Sequence, residues 1–272
     1  MIKIAVIMSV YKNDDPIFLD AAINSVLNQT FKSFDIYLQV DGQVPIQLSN
    51  KLNNYQNNYQ NIYIEFINEN KGLAWQLNRA ISRLSTSNIY SFIARMDADD
   101  ICEPERFQKQ IEYFHNHPDV AICGTQVIEF HEDGYTQLKK IPCSHAILSR
   151  YIIKRCPFNH PTVMFNLSNI NINHIHYNPA LMNTQDYYLW VDLLEKKYIF
   201  GNLDEPLLRF RVDKNFYNRR GFKKAKNDFN ARLYAMKKLD LFSPLNFIFL
   251  LLIVSLRLSP PFLKKFAYKY LR

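Results

Sequence analysis

The sequence predicts an α/β protein built on a mainly parallel sheet. Three observations carry that expectation. Apolar, β-branched runs alternate with stretches of helical spacing over residues 2–96. The first of these runs is apolar apart from Lys3 and Ser9, as a strand buried between two layers should be. Acidic residues follow the ends of three runs, at Asp14, Asp41 and Asp97, on the side where parallel sheets bind ligands, so they can share one crevice.

The elements follow in order. Residues 2–10 read as a first core strand rather than a signal peptide, because a polar turn and no small-residue cleavage site comes next. Residues 16–29 carry Ile17, Leu19, Ala21, Ile23, Val26 and Leu27 at largely helical spacing. A strand over 34–40 ends at Asp41-Gly42, a helix is expected over 49–59, and a strand over 62–67. Residues 72–84 place Leu73, Leu77, Ala80, Ile81 and Leu84 on one helical face, and the strand over 89–96 runs into Asp97-Ala98-Asp99-Asp100. A helix over 104–116 opens with proline. After it come a strand (120–130), a helix (144–154), a short strand (162–165), a helix (186–197) and a strand (207–212) leading into a basic stretch. No linker interrupts residues 1–239, which read as one unit with halves 1–100 and 101–239 and a tail over 240–272.

Composition narrows the chemistry. Only 6 glycines are present, and Ser9-Val10-Tyr11-Lys12-Asn13-Asp14-Asp15 after the first strand contains none, so neither a GxGxxG dinucleotide loop nor a Gly-rich nucleotidylyltransferase loop is present. The four cysteines, Cys102, Cys123, Cys143 and Cys156, form no CxxC pair. They read as reduced thiols, and the Cys156/His160 spacing lacks a second pair for zinc. The net charge of +8 suits an anionic partner. Binding nucleic acid by charge alone leaves the carboxylates at the strand ends unexplained, and no nucleic-acid partner is expected.

Asp97-Ala98-Asp99-Asp100 carries the strongest chemical content. Three carboxylates within four residues repel one another and need a positive partner. Hard oxygen ligands suit Mg²⁺ or Mn²⁺, which also bind a diphosphate; a solvated acidic turn ahead of the next helix is the other arrangement.

Ser9-Val10-Tyr11, Ser25-Val26-Leu27-Asn28-Gln29-Thr30, Val40-Asp41-Gly42, Asn70-Lys71-Gly72-Leu73 and Arg95-Met96-Asp97-Ala98-Asp99-Asp100 occur in this order. Pro104-Glu105-Arg106-Phe107, Gln110, His160-Pro161-Thr162-Val163-Met164-Phe165, Asp186-Tyr187-Tyr188-Leu189-Trp190 and Arg211-Val212 follow. The series resembles the bacterial family 2 glycosyltransferases of GT-A fold that build O-antigen, capsule and exopolysaccharide, including the amylovoran type. The resemblance implies an inverting, metal-dependent transfer of a hexose or N-acetylhexosamine from a UDP-sugar to a lipid-linked saccharide. In that reading 1–100 binds the nucleotide-sugar and 101–239 the acceptor, on the cytoplasmic face of the bacterial membrane.

The resemblance also implies residue roles. Asp41 would bond the uracil ring, the Ser9–Tyr11 backbone would line the nucleoside pocket, and Asp14, Lys71 and Ala98 would lie along the nucleotide. Asp99 would hold the metal, with Asp97 at metal or ribose. Asp186 would be the general base, although Gln185 stands where the family commonly has Glu. His160 would lie near the site, Trp190 would either stack on the acceptor sugar or be buried in the packing face of its helix, and Arg211, Arg219 and Arg220 would close on the diphosphate.

The tail has its own chemistry. Residues 245–256 are almost wholly apolar but shorter than the roughly 20 residues a spanning helix needs. No acidic residue follows Asp240, while Arg257, Lys264, Lys265, Lys269 and Arg272 do. Apolar surface beside cations predicts an interfacial helix on anionic lipid. Packing on the catalytic unit, or on a second copy as a homodimer, is the other arrangement.

Overall fold

The structure is a computed structural model that describes residues 2–181, 183–212 and 222–259. Its first part is the expected alternation: β1 (Ile4–Tyr11), α1 (Pro16–Leu27), β2 (Phe34–Asp41), α2 (Ile46–Asn58), β3 (Ile62–Ile67), α3 (Leu73–Leu84) and β4 (Phe92–Arg95). These strands pair in parallel in the order β3-β2-β1-β4. The second part adds β5 (Ile101–Cys102), α4 (Arg106–Asn116), β6 (Val120–His131), β7 (Thr136–Lys139), α5 (His145–Tyr151), β8 (Met164–Asn166), α6 (Gln185–Glu195), β9 (Ile199–Val212), α7 (Phe222–Lys238) and α8 (Pro244–Leu258). Here the sheet becomes mixed: β8 runs antiparallel to β4 and β6, β9 runs parallel to β6, and β5 closes the far edge.

Alternation along β1 divides the core. Ile4, Val6, Met8 and Val10 pack with Leu19 and Ile23 of α1 and Phe107 of α4. Ala5 and Ile7 face the other layer, with Leu77 and Ile81 of α3 and Trp190 of α6. Both faces are covered, which explains why the strand reads as an unbroken apolar run.

Buried polar side chains stitch the layers together. Gln29 donates to the Glu103 carbonyl at 2.7 Å and accepts from the Phe107 amide at 3.0 Å. Arg106, fully buried, donates to the Arg95 carbonyl at 2.9 Å and to Gln110 Oε1 at 3.0 Å. Gln110 in turn donates to the carbonyls of Cys123 and Thr162 at 3.1 and 2.9 Å. Each residue satisfies backbone groups on another element, so these motif residues fix where β4 ends.

Several expectations are corrected. Strand β9 begins at Ile199 rather than 207, because the register shift that matches Gln126 to Pro206 loops out Asp204 and Glu205, which the sequence reads as a break. Helix α2 starts at Ile46, behind Pro45. Helix α7 was not expected. Trp190 does not present a stacking face: it is completely buried, with ring centroids 5.0, 6.0 and 6.4 Å from those of Phe158, Phe165 and Phe200. Its α6 neighbours Leu189, Val191 and Leu193 are buried with it, so this helix is apolar well around its circumference. Arg219, Arg220 and residues 261–272 lie outside the described residues.

Helix α8 is capped by Ser243, whose hydroxyl accepts from the Asn246 amide at 3.1 Å. Leu250 is buried against the body, whereas Phe247, Ile248, Leu251 and Leu252 are 46–58% exposed. Among the described residues no helix is long and apolar enough to cross a membrane.

The Trp190 packing yields a direct test. Trp190→Ala should lower the unfolding free energy by about 3–5 kcal/mol, read by urea denaturation, with Trp190→Phe losing less. An unchanged midpoint together with weakened acceptor binding would restore the stacking role.

Candidate active site

The carboxyl ends of the parallel neighbours β2, β1 and β4 lie side by side. Beyond β4, Asp97, Asp99 and Asp100 bring carboxylate oxygens within 4.8 Å of one another. Arg95, the last residue of the strand and 1% exposed, forms an ion pair with Asp97. Asp100 accepts from the Arg211 amide at 2.8 Å, and its Oδ2 is buried without a partner. Burial first, then Asp97, pushes Asp99 up to about 6. The same causes, with Asp99 added, raise Asp100 well above the usual carboxylate range. Asp14 belongs to this field: its carboxylate accepts from the Tyr11 amide at 2.9 Å, yet burial, with Asp99 and Asp97 behind it, pushes it up to about 7. Three clustered carboxylates, with Asp99 and Asp100 crowded into holding their protons, fit a hard divalent cation, which would displace those protons.

Arg211, at the end of β9, is fixed beside the cluster. Its Nε donates to the Asp99 carbonyl at 2.9 Å, and its guanidinium lies 3.7 Å from the centroid of Phe18 and 4.6 Å from that of Phe130. The aromatic faces hold the cation without consuming it in a carboxylate pair.

Asp41 ends β2 and is 4% exposed. It accepts from the amides of Lys71 and Gly72 at 2.7 and 2.9 Å and from Gln76 Nε2 at 2.6 Å, capping α3. Gly42 makes this approach feasible: its φ is +82°, and a Cβ there would lie 3.0 Å from the Asn70 amide nitrogen. The Lys71 ammonium turns outward to Glu69. Ser9 is half-buried, while Val10 and Ala98 are buried, so their backbone is what they can offer a ligand.

Unpartnered buried polar atoms gather on this side of the sheet: both amide atoms of Gln39, Gln76 Oε1, Arg95 Nε and Nη1, and Asp100 Oδ2. Gln39 pairs in register with Ser9, two residues before Asp41 on the same face. Leaving such atoms unmet is unfavourable in a finished core and characteristic of a site that a polar ligand completes.

Asp186 sits in the first turn of α6, whose cap is Thr184, not Asp186. Cys156 Sγ lies 3.8 Å from Asp186 Oδ2. Burial, then Asp186, pushes the Cys156 thiol up to about 12, so it faces the carboxylate protonated. His160 Nε2 lies 3.0 Å from the Tyr177 hydroxyl; burial and nearby Arg95 hold His160 well below its ordinary value, hence neutral. Tyr177 is pushed up by burial, lowered by Arg95 and raised by both Asp186 and Asp97, so it feels the charge of α6 and of the acidic loop alike. Arg95, Tyr177, Gln39 and Gln76 are site residues that sequence reasoning did not single out. Arg95 had a signal, as the residue opening the acidic motif; Tyr177 had none.

The carboxylate crowding predicts a pH-dependent difference in metal-free protein. Asp99 is raised in the folded state, so its contribution favours folding at low pH and is lost as pH rises through about 6. Asp99→Asn should therefore melt at or above the wild type in EDTA, by a margin that grows between roughly pH 4 and pH 7 and levels off above it. A margin that shrinks with pH would contradict the crowding.

Comparison with known proteins places this geometry. The family model described as Glycosyl transferase family 2 matches residues 5–174. The chain is 31% identical over 234 residues to the amylovoran biosynthesis glycosyltransferase AmsE of Erwinia amylovora, covering 86% of this chain and 85% of that protein. It is 28% identical over 271 residues to the UDP-Gal:alpha-D-GlcNAc-diphosphoundecaprenol beta-1,3-galactosyltransferase of Escherichia coli, covering 98% and 95%. In fold it resembles S. aureus TarS 1-349 in complex with UDP, with a TM-score of 0.62 at 17% identity over 89% of this chain and 70% of that one. The ordered motifs, the GT-A-like sheet and the acidic cluster at the end of β4 agree with these likenesses: the chain belongs to the family 2 glycosyltransferases.

Proposed function

We propose that this glycosyltransferase moves a hexose or N-acetylhexosamine from a UDP-sugar to a lipid-linked saccharide, with inversion and with a divalent metal, in surface polysaccharide synthesis. The observation that carries the reading is the Asp97–Asp99–Asp100 cluster, which follows the carboxyl end of β4. The named substrates of the Escherichia coli relative, and the UDP held by the TarS structure, support the donor and acceptor classes.

Residues 1–100 take the nucleotide. The Asp41 carboxylate, with three protein donors, keeps capacity for one more and accepts from the uracil N–H. The Ser9–Tyr11 backbone, Asp14, Lys71 and Ala98 line the nucleoside side. Asp97 and Asp99 would hold Mn²⁺ or Mg²⁺, which would supply positive charge to neutralise the diphosphate. Arg211 adds a fixed cation beside the same group, and Arg219 and Arg220 follow it in sequence as further candidates. Residues 101–239 take the acceptor. Asp186 removes the proton of the acceptor hydroxyl as its oxygen bonds to C1, while the bonding pair of the C1–O link leaves with UDP. His160 and Tyr177, 3.0 Å apart and both neutral, add no charge of their own to the site.

The exposed apolar face of α8 supports attachment of residues 240–272 to the inner surface of the membrane. Phe242, Leu245, Phe247, Ile248, Leu251, Leu252 and Leu258 are all exposed. Each adds roughly 1.5–3 kcal/mol when fully buried in hydrocarbon, and each cation near anionic lipid about 1 kcal/mol.

Two outcomes follow. Transfer from UDP-sugars should disappear in EDTA and in Asp99→Ala, and Asp186→Asn should lower kcat by about 10² or more while UDP affinity holds. Unchanged turnover in either variant contradicts its assigned role. The full chain should sediment with anionic liposomes and be released by detergent more than by salt; a chain that ignores liposomes contradicts the attachment.

A further inference from the structure

We infer that the groove between α5, α6, α7 and α8 is the seat of the acceptor's diphosphate and of the hydrocarbon chain that carries it. The inference rests on the reading of the acceptor as lipid-linked and gives it a site. The groove has a volume of about 590 Å³, within the range of small-ligand sites.

Its walls differ in chemistry. Phe249, Leu252, Ile253 and Leu256 of α8 form an apolar side. That side is continuous with the exposed face of the helix, since Leu252 belongs to both. Against it stand six cationic side chains and two carboxylates, Asp186 and Asp228. Asp228, 3% exposed, is shared by Lys224 at 3.1 Å, Arg232 at 3.7 Å and Arg257 at 2.8 Å. One buried carboxylate among three cations leaves a built-in positive surplus, and Arg232 Nε is buried without a hydrogen-bond partner. Lys154 adds to the surplus: its ammonium lies 4.5 Å from the centroid of Phe249, with no carboxylate paired to it among the described residues.

Positive surplus and aliphatic wall together select an amphiphilic anion. A nucleotide would find no hydrogen-bonding side chain along Phe249, Leu252, Ile253 and Leu256, and a free anion would leave that wall wet. A lipid diphosphate satisfies both sides: phosphate oxygens at Lys154 and the Asp228 cluster, and chain along Phe249 to Leu256 and out over the exposed face. Asp186 lines the same groove, so the hydroxyl to be glycosylated belongs to a sugar close to the phosphates.

Binding without turnover tests this. The full chain is titrated calorimetrically, with no donor, against a monosaccharide diphosphate bearing a long n-alkyl chain. The same alkyl glycoside without phosphate, inorganic diphosphate, and UDP with Mn²⁺ are titrated alongside. Wild type should bind the alkyl diphosphate more tightly than either the glycoside or inorganic diphosphate. Lys154→Gln should weaken it about tenfold, the loss of one charge-assisted hydrogen bond. Lys154→Arg should restore most of the affinity, Leu252→Ser should weaken the alkyl compound alone, and UDP affinity should hold throughout. Equal binding of the phosphate-free glycoside, equal binding of inorganic diphosphate, or indifference to Lys154→Gln would overturn the site. Failure of wild type to bind UDP, with alkyl diphosphate binding intact, would overturn the donor reading and leave the groove standing.

Discussion

Like charge crowded at the end of β4 is the constraint to which the rest of the structure responds. Three carboxylates within 4.8 Å would push a loop apart unless something held it. Arg95 pairs with Asp97 from inside the protein, the Arg211 amide takes Asp100, and Arg106 holds the Arg95 carbonyl. Strand β4, helix α4 and the distant strand β9 are thereby tied to one acidic loop. The charge is contained without being cancelled, and the loop keeps an appetite for cation.

The same economy appears at Asp41. Its carboxylate closes the N-terminus of α3 and so fixes the distance between β2 and that helix, yet a carboxylate accepts more than three hydrogen bonds. Structural and recognition roles share one side chain because both need negative charge at the same strand end. Gln39 and Gln76 show the complementary arrangement, buried amides with unmet atoms on the same side of the sheet.

Much of the fold was legible. Parallel strands buried on both faces write long apolar runs, and β1 to β4 are such runs or lie between clear helices. The acidic site was legible because three carboxylates after an apolar strand need a reason. Elements made by pairing rather than by pattern were not legible: β5 has two residues and β7 is a short polar edge strand. The early part of β9 hid behind a bulge that packs Asp-Glu-Pro into a strand. Helix α7 follows a basic run, and its amphipathic signal is diluted by Lys and Asn. The sequence left Trp190 open between a stacking face and burial, because apolar residues nearly all round a helix do not say which one reaches a surface; packing against Phe158, Phe165 and Phe200 decides it. Gln29, Arg106 and Gln110 came with the family motifs, but their part in holding α1, α4 and β6 together needed the third dimension.

The cysteines carry a practical consequence. All four are free, and burial raises every one of their thiols, Cys156 with help from Asp186. A thiol reacts as its thiolate, so the native cysteines are poor targets for alkylating reagents near neutral pH. The molecule thus has a chemically quiet background. A single cysteine placed on the outward side of α8 would stand out against it, and a fluorophore attached there would report the polarity around that helix without first stripping the protein of its own thiols.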